Sequence, residues 1–207
     1  SMSSPSVITR YDGKIDLKDT LTIGVSQCGE AKDVYTVLRR CQDEGGIAVS
    51  VTNERDCLLR KVGTHYINCE CGKETSFTAA KSYMAQVLIL MLIVAYLSGE
   101  EMLIRQIEKS PEIISACMDR TIEEQIKNSI PLFRNARDIL ILARGFDFAV
   151  AQETELKIME ASYTNAKAYS SCDYPHGPIA TTDRFIPAVF FLADSYTAVS
   201  YTHLRAH

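Results

Sequence analysis

Leu21-Thr-Ile-Gly-Val-Ser-Gln-Cys-Gly-Glu-Ala-Lys-Asp33 is an apolar run that stops at Ser26, Gln27, Cys28 and Gly29 and gives way to a polar helix start. The pattern is a strand, a tight loop of small residues and a helix N-terminus. Exposed N–H groups at a helix N-terminus, beside a hydroxyl, make an anion site. The same residues also suit ordinary turn chemistry. The stretch therefore acquires meaning from its surroundings.

Those surroundings repeat the pattern. Over Glu30 to Asp43, helical spacing puts Val34, Val37, Leu38 and Cys41 on one face, and Gly45-Gly46 closes the helix. Ile47-Ala-Val-Ser-Val-Thr52 is a continuous apolar strand of the kind covered on both faces. Asn53 to Asp56 caps a short helix through Leu59, and His65 to Asn68 is a third strand. After a loop through Gly72-Lys73-Glu74, Ser76 or Thr78 is expected to open a long helix running to about Leu97, closed by Ser98-Gly99. Helical patterns cover Glu100 to Lys109, then Ser110-Pro111, with Pro at the first helical position, to a boundary near Asn135. Asp138 to Ala143 is a strand, Arg144-Gly145 its turn, and Phe148 to Tyr163 a helix. Residues 164–179 read as loop with helical turns, and Pro187 to Leu192 as a last strand. The segment before Asp19 reads as loop or a poorly formed edge.

Strands alternating with helices imply an α/β protein, a parallel sheet flanked by helices. Ligands of such sheets sit beyond the carboxyl ends of the strands. Ser26 to Gly29 and Arg144-Gly145 both lie at such ends.

With 207 residues, 46% of them hydrophobic, the chain can bury a sizeable core in one or two domains. A net charge of -4 leaves no basic stripe for nucleic acid. The longest apolar run, Val87 to Leu97, falls short of the roughly 18–20 residues a bilayer needs, so no membrane partner is expected. Apolar on all sides, it reads as a helix buried in a core or a subunit interface. Seven Cys, an odd number, without a signal-peptide pattern suit the reduced thiols of a cytoplasmic protein. Cys69-x-Cys71, with Cys57 and His65 nearby, matches no common zinc spacing. No metal or other cofactor is expected.

A second constellation lies in Glu153-Thr-Glu-Leu-Lys-Ile-Met-Glu-Ala-Ser-Tyr163. Lys157 and Glu160 are three apart and share a helix face. The plain reading of such a pair is a solvated surface ion pair. Downstream, Tyr174-Pro-His-Gly-Pro178 holds His176 between two prolines, which stiffen the loop. A carboxylate and a histidine beside a phosphate anchor fit proton transfer on a sugar phosphate. The carboxylate carries a proton between C1 and C2 of the open chain, and the histidine opens the ring.

Three segments together resemble the sugar isomerase (SIS) family, and within it the isomerase module of glutamine–fructose-6-phosphate aminotransferase. Ser26 to Asp33 is similar to the family's Ser-Gln-Ser-Gly-Glu-Thr-x-Asp phosphate loop. Ser76-Phe-Thr-Ala-Ala-Lys-Ser-Tyr-Met-Ala-Gln86 resembles its second loop and long helix. Glu155 to Tyr163, with Ala166 to Pro178, resembles its catalytic helix and histidine loop. Order and spacing agree over roughly Leu21 to Asp194. The resemblance implies that Ser26, Gln27, Cys28 and Gly29, with Ala31, Phe77 and Ala79, hold a sugar phosphate of the fructose 6-phosphate or glucosamine 6-phosphate class. It implies that Glu160 is the isomerising base, Lys157 an active-site lysine and His176 the ring-opening residue, supplied across a homodimer. Cys28 and Ala31 stand where the family has Ser and Thr, and Phe77 and Ala79 where it has Val and Ser, so two hydroxyl donors are lost from the phosphate loop and the pocket is reshaped.

On this resemblance, residues 3–135 form a first SIS subdomain lacking its opening strand. Residues 136–198 form the start of a second, and 199–207 a non-native tail. The leading Ser1-Met2 reads as a cleavage scar, and neither a glutaminase domain nor the family's C-terminal Ala-Lys pair has a counterpart. Isomerisation, amino-sugar deamination and deglycation share an enolising base and stay open. A sugar-phosphate sensor without catalysis is the alternative.

Overall fold

The computed structural model describes residues 4–11, 13, 15–181 and 186–192. The expected tail at 199–207 lies outside them. The chain divides into two compact units, residues 1–112 and 113–207.

The first unit opens with a single helical turn, α1 (Ser6–Thr9). Three parallel strands follow, β1 (Leu21–Val25), β2 (Ile47–Thr52) and β3 (His65–Asn68), in the order β1-β2-β3. Leu21 pairs with Ile47 and Val49 with His65. β2 sits between its neighbours and is buried from Ala48 to Thr52, as its unbroken apolar character requires. Helix α2 (Lys32–Asp43) covers one face: Leu38 and Cys41 are fully buried against Ala48, Cys57, Leu59 and Val62. Gly45, at φ +88°, ends α2 as the left-handed residue of a Schellman cap, Gly46 N–H reaching Cys41 O at 2.8 Å and Gly45 N–H reaching Gln42 O at 3.0 Å. A 3-10 turn, Leu58–Lys61, leads into β3.

Helix α3 (Lys81–Ser98) ends at Gly99, as its sequence indicates, but begins later than Ser76 or Thr78. It is 18 residues long and apolar enough to meet the length and composition of a membrane span, yet within the described structure only Ser82 and Ala95 are buried. Of the two expected settings, a core or a subunit interface, the core of this chain is the one the described residues do not provide: Val94, Tyr96 and Leu97 are exposed. Ile89, Leu92 and Ile93 line an open apolar hollow beside Ile67 of β3. α4 (Glu101–Glu108) and α5 (Ser110–Cys117) follow.

The second unit takes up the chain within α5. The single helix expected from Ser110 to Asn135 is broken, because Asp119 caps a new one, α6 (Arg120–Phe133), by accepting from Ile122 N–H at 2.9 Å. The sheet comprises β4 (Asp138–Ala143), β5 (Asn165–Ser170) and β6 (Ala188–Phe190), all parallel, in the order β5-β4-β6. Helix α7 (Asp147–Ser162) joins β4 to β5. β5 replaces part of the loop expected over 164–179, and β6 is shorter than the apolar run around it. Side chains alternate as a two-faced sheet demands. Ile139, Ile141, Ala143, Ala166 and Ala168 face α7, while Leu140, Leu142 and Tyr174 form the other core.

Candidate functional site

The loop after β1 is built by its own short-range bonds. Ser26 N–H donates to Val51 O at 3.0 Å, and the Ser26 hydroxyl accepts from Gly29 N–H at 3.2 Å. Gly29 lies at φ +68°, and a Cβ there would run into the Cys57 thiol, so two constraints demand glycine. Asn53, at the carboxyl end of β2, ties the loop to its neighbour. Its N–H donates to Gln27 O at 3.0 Å, its amide group to Gly72 O at 2.7 Å, and its side-chain oxygen accepts from Cys71 N–H at 3.2 Å. The N–H groups of Gln27 and Cys28 meet no acceptor among the described residues. α2 starts after Ala31 with no side-chain cap, so its first-turn N–H groups are open as well. The open donors at the carboxyl end of the sheet are therefore the Gln27 and Cys28 N–H groups and the first turn of α2 after Ala31, in a loop that Ser26 and Gly29 hold in shape.

Phe77 and Ala79 lie in the loop between β3 and α3. Phe77 is 92% exposed, and neither residue is bonded to the loop above. Glu74 closes this loop. Its Oε2 accepts from Ala80 N–H at 3.1 Å, Ser82 N–H at 3.2 Å and the Ser82 hydroxyl at 3.0 Å. The Ser82 N–H, more than any other contact, holds the Glu74 carboxyl below the usual carboxylate range.

In the second unit, α7 carries Lys157 between two carboxylates. Lys157 Nζ is 2.9 Å from Glu160 Oε2 and 3.4 Å from Glu153 Oε1. The three side chains are 21–33% exposed and lie, by helical spacing, on the opposite side of α7 from Ala151 and Ile158. The hydrogen bond to Glu160 leads the causes that raise the Lys157 ammonium above the ordinary lysine value, outweighing desolvation. Glu160 Oε1 has no hydrogen-bond partner among the described residues. Glu153 was not singled out from sequence, although the i,i+4 arithmetic that pairs it with Lys157 was available.

His176 ends a 3-10 turn, Tyr174–His176, that Pro175 helps to set. Tyr174 anchors the turn, 97% buried and 5.7 Å from the Tyr169 ring between centroids, while His176 is exposed. Its backbone N–H donates to Asp173 O at 3.0 Å, and its ring makes no hydrogen bond or ion pair among the described residues. The structure thus places the Ser26–Gly29 loop within one unit and the Glu153–Lys157–Glu160 cluster within the other. Among the described residues, no group of three His, Cys, Asp or Glu is placed to hold a metal.

No family model matches the chain. It is 31% identical over 191 residues to a glutamine–fructose-6-phosphate aminotransferase (isomerizing) from Clostridium perfringens, covering 88% of this chain and 31% of that one. The solved C-terminal domain of glucosamine-fructose-6-phosphate aminotransferase from Francisella tularensis superposes on all of this chain with a TM-score of 0.86, at 24% identity and over 61% of its own length. The chain is similar to these aminotransferases and has the fold of sugar isomerase (SIS) proteins. Glucosamine-6-phosphate deaminase from Thermotoga maritima shares the SIS fold at a TM-score of 0.77 and 20% identity, with 98% of this chain and 62% of that one covered. The chain spans less than a third of the length of the aminotransferase and about three-fifths of the two solved chains.

Proposed function

We propose that this chain binds a hexose 6-phosphate through the Ser26–Gly29 rim and that Glu160 moves a proton between C1 and C2 of the open-chain sugar. The observation that carries this reading is Lys157, seated between Glu153 and Glu160. The ammonium at 2.9 Å anchors one oxygen of Glu160, while the other, without a partner among the described residues, is open to accept a proton. A solvated ion pair would not need a second carboxylate on the same lysine in a patch that is two-thirds buried or more. The relatives support the substrate class, since they are named for fructose 6-phosphate and glucosamine 6-phosphate.

The phosphate dianion would take the Gln27 and Cys28 N–H groups and the first turn of α2, where donors and helix dipole act together. With Cys28 and Ala31 supplying no hydroxyl, backbone groups carry more of this binding than they would in a Ser- and Thr-bearing loop. His176 opens the ring in this reading, delivered by a second copy of the chain in a cytoplasmic homodimer.

The test is turnover of fructose 6-phosphate and glucosamine 6-phosphate by the full protein and by Glu160→Gln. The variant keeps the side chain's shape and a hydrogen-bond acceptor for Lys157 but loses the base. Turnover by the wild type and its loss in the variant are expected. Equal turnover in the two proteins would remove Glu160 from the chemistry. A wild type that binds these sugars without turning them over would favour sensing, the reading that the altered loop at Cys28 and Ala31 suggests.

A further inference from the structure

Cys69-Glu-Cys71, directly after β3, takes no part in the chemistry proposed above. Its backbone is pinned at all three residues. Cys69 N–H donates to Thr52 O at 2.8 Å, Glu70 N–H to Asn68 Oδ1 at 2.8 Å, and Cys71 N–H to Asn53 Oδ1 at 3.2 Å. Arg55 holds the Glu70 carboxylate, with one guanidinium nitrogen 2.8 Å from both oxygens. Glu70 lies at φ +53°, in the left-handed region, so the chain turns between the two cysteines. Residues either side of a helical-type turn have Cα atoms about 5.4 Å apart, within the span of a disulfide. Both thiols are free and half-buried. Burial pushes the Cys69 thiol up, and the Cys71 sulfur is near enough to add to that effect. The Cys71 thiol donates to Asn53 Oδ1 at 2.9 Å. Asn53 is also the residue whose N–H holds Gln27 O in the loop after β1.

We propose that Cys69 and Cys71 close a reversible disulfide at the expense of a small-molecule disulfide, and that this closure loosens the Asn53 clasp on the loop after β1. Cys71 gives its proton to water, and its thiolate attacks one sulfur of the oxidant. The oxidant's S–S bond breaks, a mixed disulfide forms on Cys71 and one small thiolate leaves. The Cys69 thiolate, its proton also lost to water, attacks the Cys71 sulfur and expels the second small thiolate. Two cysteine thiols are oxidised, and one small disulfide is reduced to two thiols that take up the two protons. Cys71 leads because the raised Cys69 thiol is the poorer source of thiolate. A disulfide sulfur carries no proton, so Asn53 Oδ1 loses its thiol donor, and Cys71 Sγ must come to about 2.05 Å from Cys69 Sγ. Asn53 relays the change, since its side chain meets Cys71 and Gly72 while its N–H meets Gln27. The consequence for substrate rests on the sugar-phosphate reading above. The disulfide and its effect on the clasp do not.

The experiment exposes the full chain to glutathione disulfide and follows it by peptide mass spectrometry and backbone amide NMR. Cys28→Ser is the reference for NMR, because the exposed Cys28 thiol would report its own oxidation at Gln27. In wild type and reference alike, the peptide holding Cys69 and Cys71 is expected to lose two hydrogens and gain no glutathione. The Gln27, Asn53 and Cys71 amides of the reference shift, and they return when dithiothreitol is added. Cys69→Ser stops at the mixed disulfide, with one glutathione on Cys71. Adding Cys71→Ser to the reference keeps a hydroxyl for Asn53 but prevents closure, so its Gln27 and Asn53 amides do not respond. Oxidation of the reference weakens fructose 6-phosphate binding roughly three- to tenfold, the scale of one hydrogen bond. Glutathione on both cysteines, or on neither with no disulfide formed, would overturn the proposal. So would a closed disulfide with unmoved Gln27 and Asn53 amides. Amides that respond in a chain that binds no fructose 6-phosphate in either state would refute the sugar-phosphate reading and uphold the disulfide and its clasp.

Discussion

The β1–α2 and β4–α7 junctions are the same supersecondary unit used in two ways. Each runs from an apolar parallel strand through a glycine with positive φ, Gly29 at +68° and Gly145 at +62°, into a helix without a side-chain cap. After β1 the loop is folded inward: Ser26 holds Gly29 N–H, Gly29 is buried against Cys57, and the N–H groups of Gln27 and Cys28 are left over. After β4 the turn faces outward, with Arg144 and Gly145 exposed and Phe146 fully so. The notable polar groups of that unit lie further on, in the second to fourth turns of α7, as side chains. One junction offers backbone donors in a fixed loop and suits holding an anion. The other offers a carboxylate set by a lysine and suits moving a proton.

The largest expected effect separates these two roles. Glu160→Gln is expected to lower turnover of a hexose 6-phosphate by about 10²–10⁴-fold, the usual worth of a general base, with binding by calorimetry retained. Next comes the pair of glycines. Gly29→Ala must bear a left-handed backbone and a collision with Cys57, and is expected to lose about 2–4 kcal/mol in urea melts and to weaken phosphate binding. Gly145→Ala meets nothing within 4 Å, so only the backbone cost of about 1–2 kcal/mol is expected. Equal losses at the two positions would show that the first loop is no more tightly fitted than the second.

Smaller effects follow from charge. Because Lys157 is raised in the folded state, its pairing stabilises the protein fully below the ordinary lysine value, and that contribution is lost as pH rises through the folded value. Thermal melts on the alkaline side should therefore fall more steeply for wild type than for Lys157→Met. Glu44 runs the other way. The Arg40 guanidinium at 2.6 Å, and then Leu17 N–H at 2.9 Å, hold its carboxyl below the usual range. Its contribution is present above the ordinary carboxylate value and disappears as pH falls through the folded one. Glu44→Gln should flatten the acid limb of the melting curve slightly and leave sugar-phosphate binding alone.

Much of the fold was legible because its strands are coded locally. β1, β2 and β4 coincide with apolar runs bounded by turn residues, and α2 with its helical stripe and closing glycines. β5 was not legible. Its inward residues are the small Ala166 and Ala168, its Lys167 breaks any apolar run, and Glu155 on α7, thirteen residues before, accepts from the Ala168 N–H at 2.6 Å. The start of α3 was misread for a related reason: Ser76 and Thr78 are good caps, but the acceptor that caps the helix is Glu74, six residues before Ala80. The apolar character of α3 was plain, but hydrophobicity alone does not name the surface a helix meets.

The pairing of Lys157 with Glu160 was readable from their spacing, and the distance of 2.9 Å agrees with it. Asn53 was not readable as the clasp of the loop after β1, because its partners Gln27 and Gly72 lie far along the chain in opposite directions.

The central claim is that a lysine-set carboxylate on α7 moves a proton on a phosphosugar. The most direct measurement is incorporation of deuterium from heavy water at C1 of fructose 6-phosphate, or at C2 of the aldose formed from it, followed by proton NMR, with the wild type and Glu160→Gln at matched occupancy. Exchange in the wild type that vanishes in the variant is the result this account predicts. Exchange at equal rates in both proteins would contradict it.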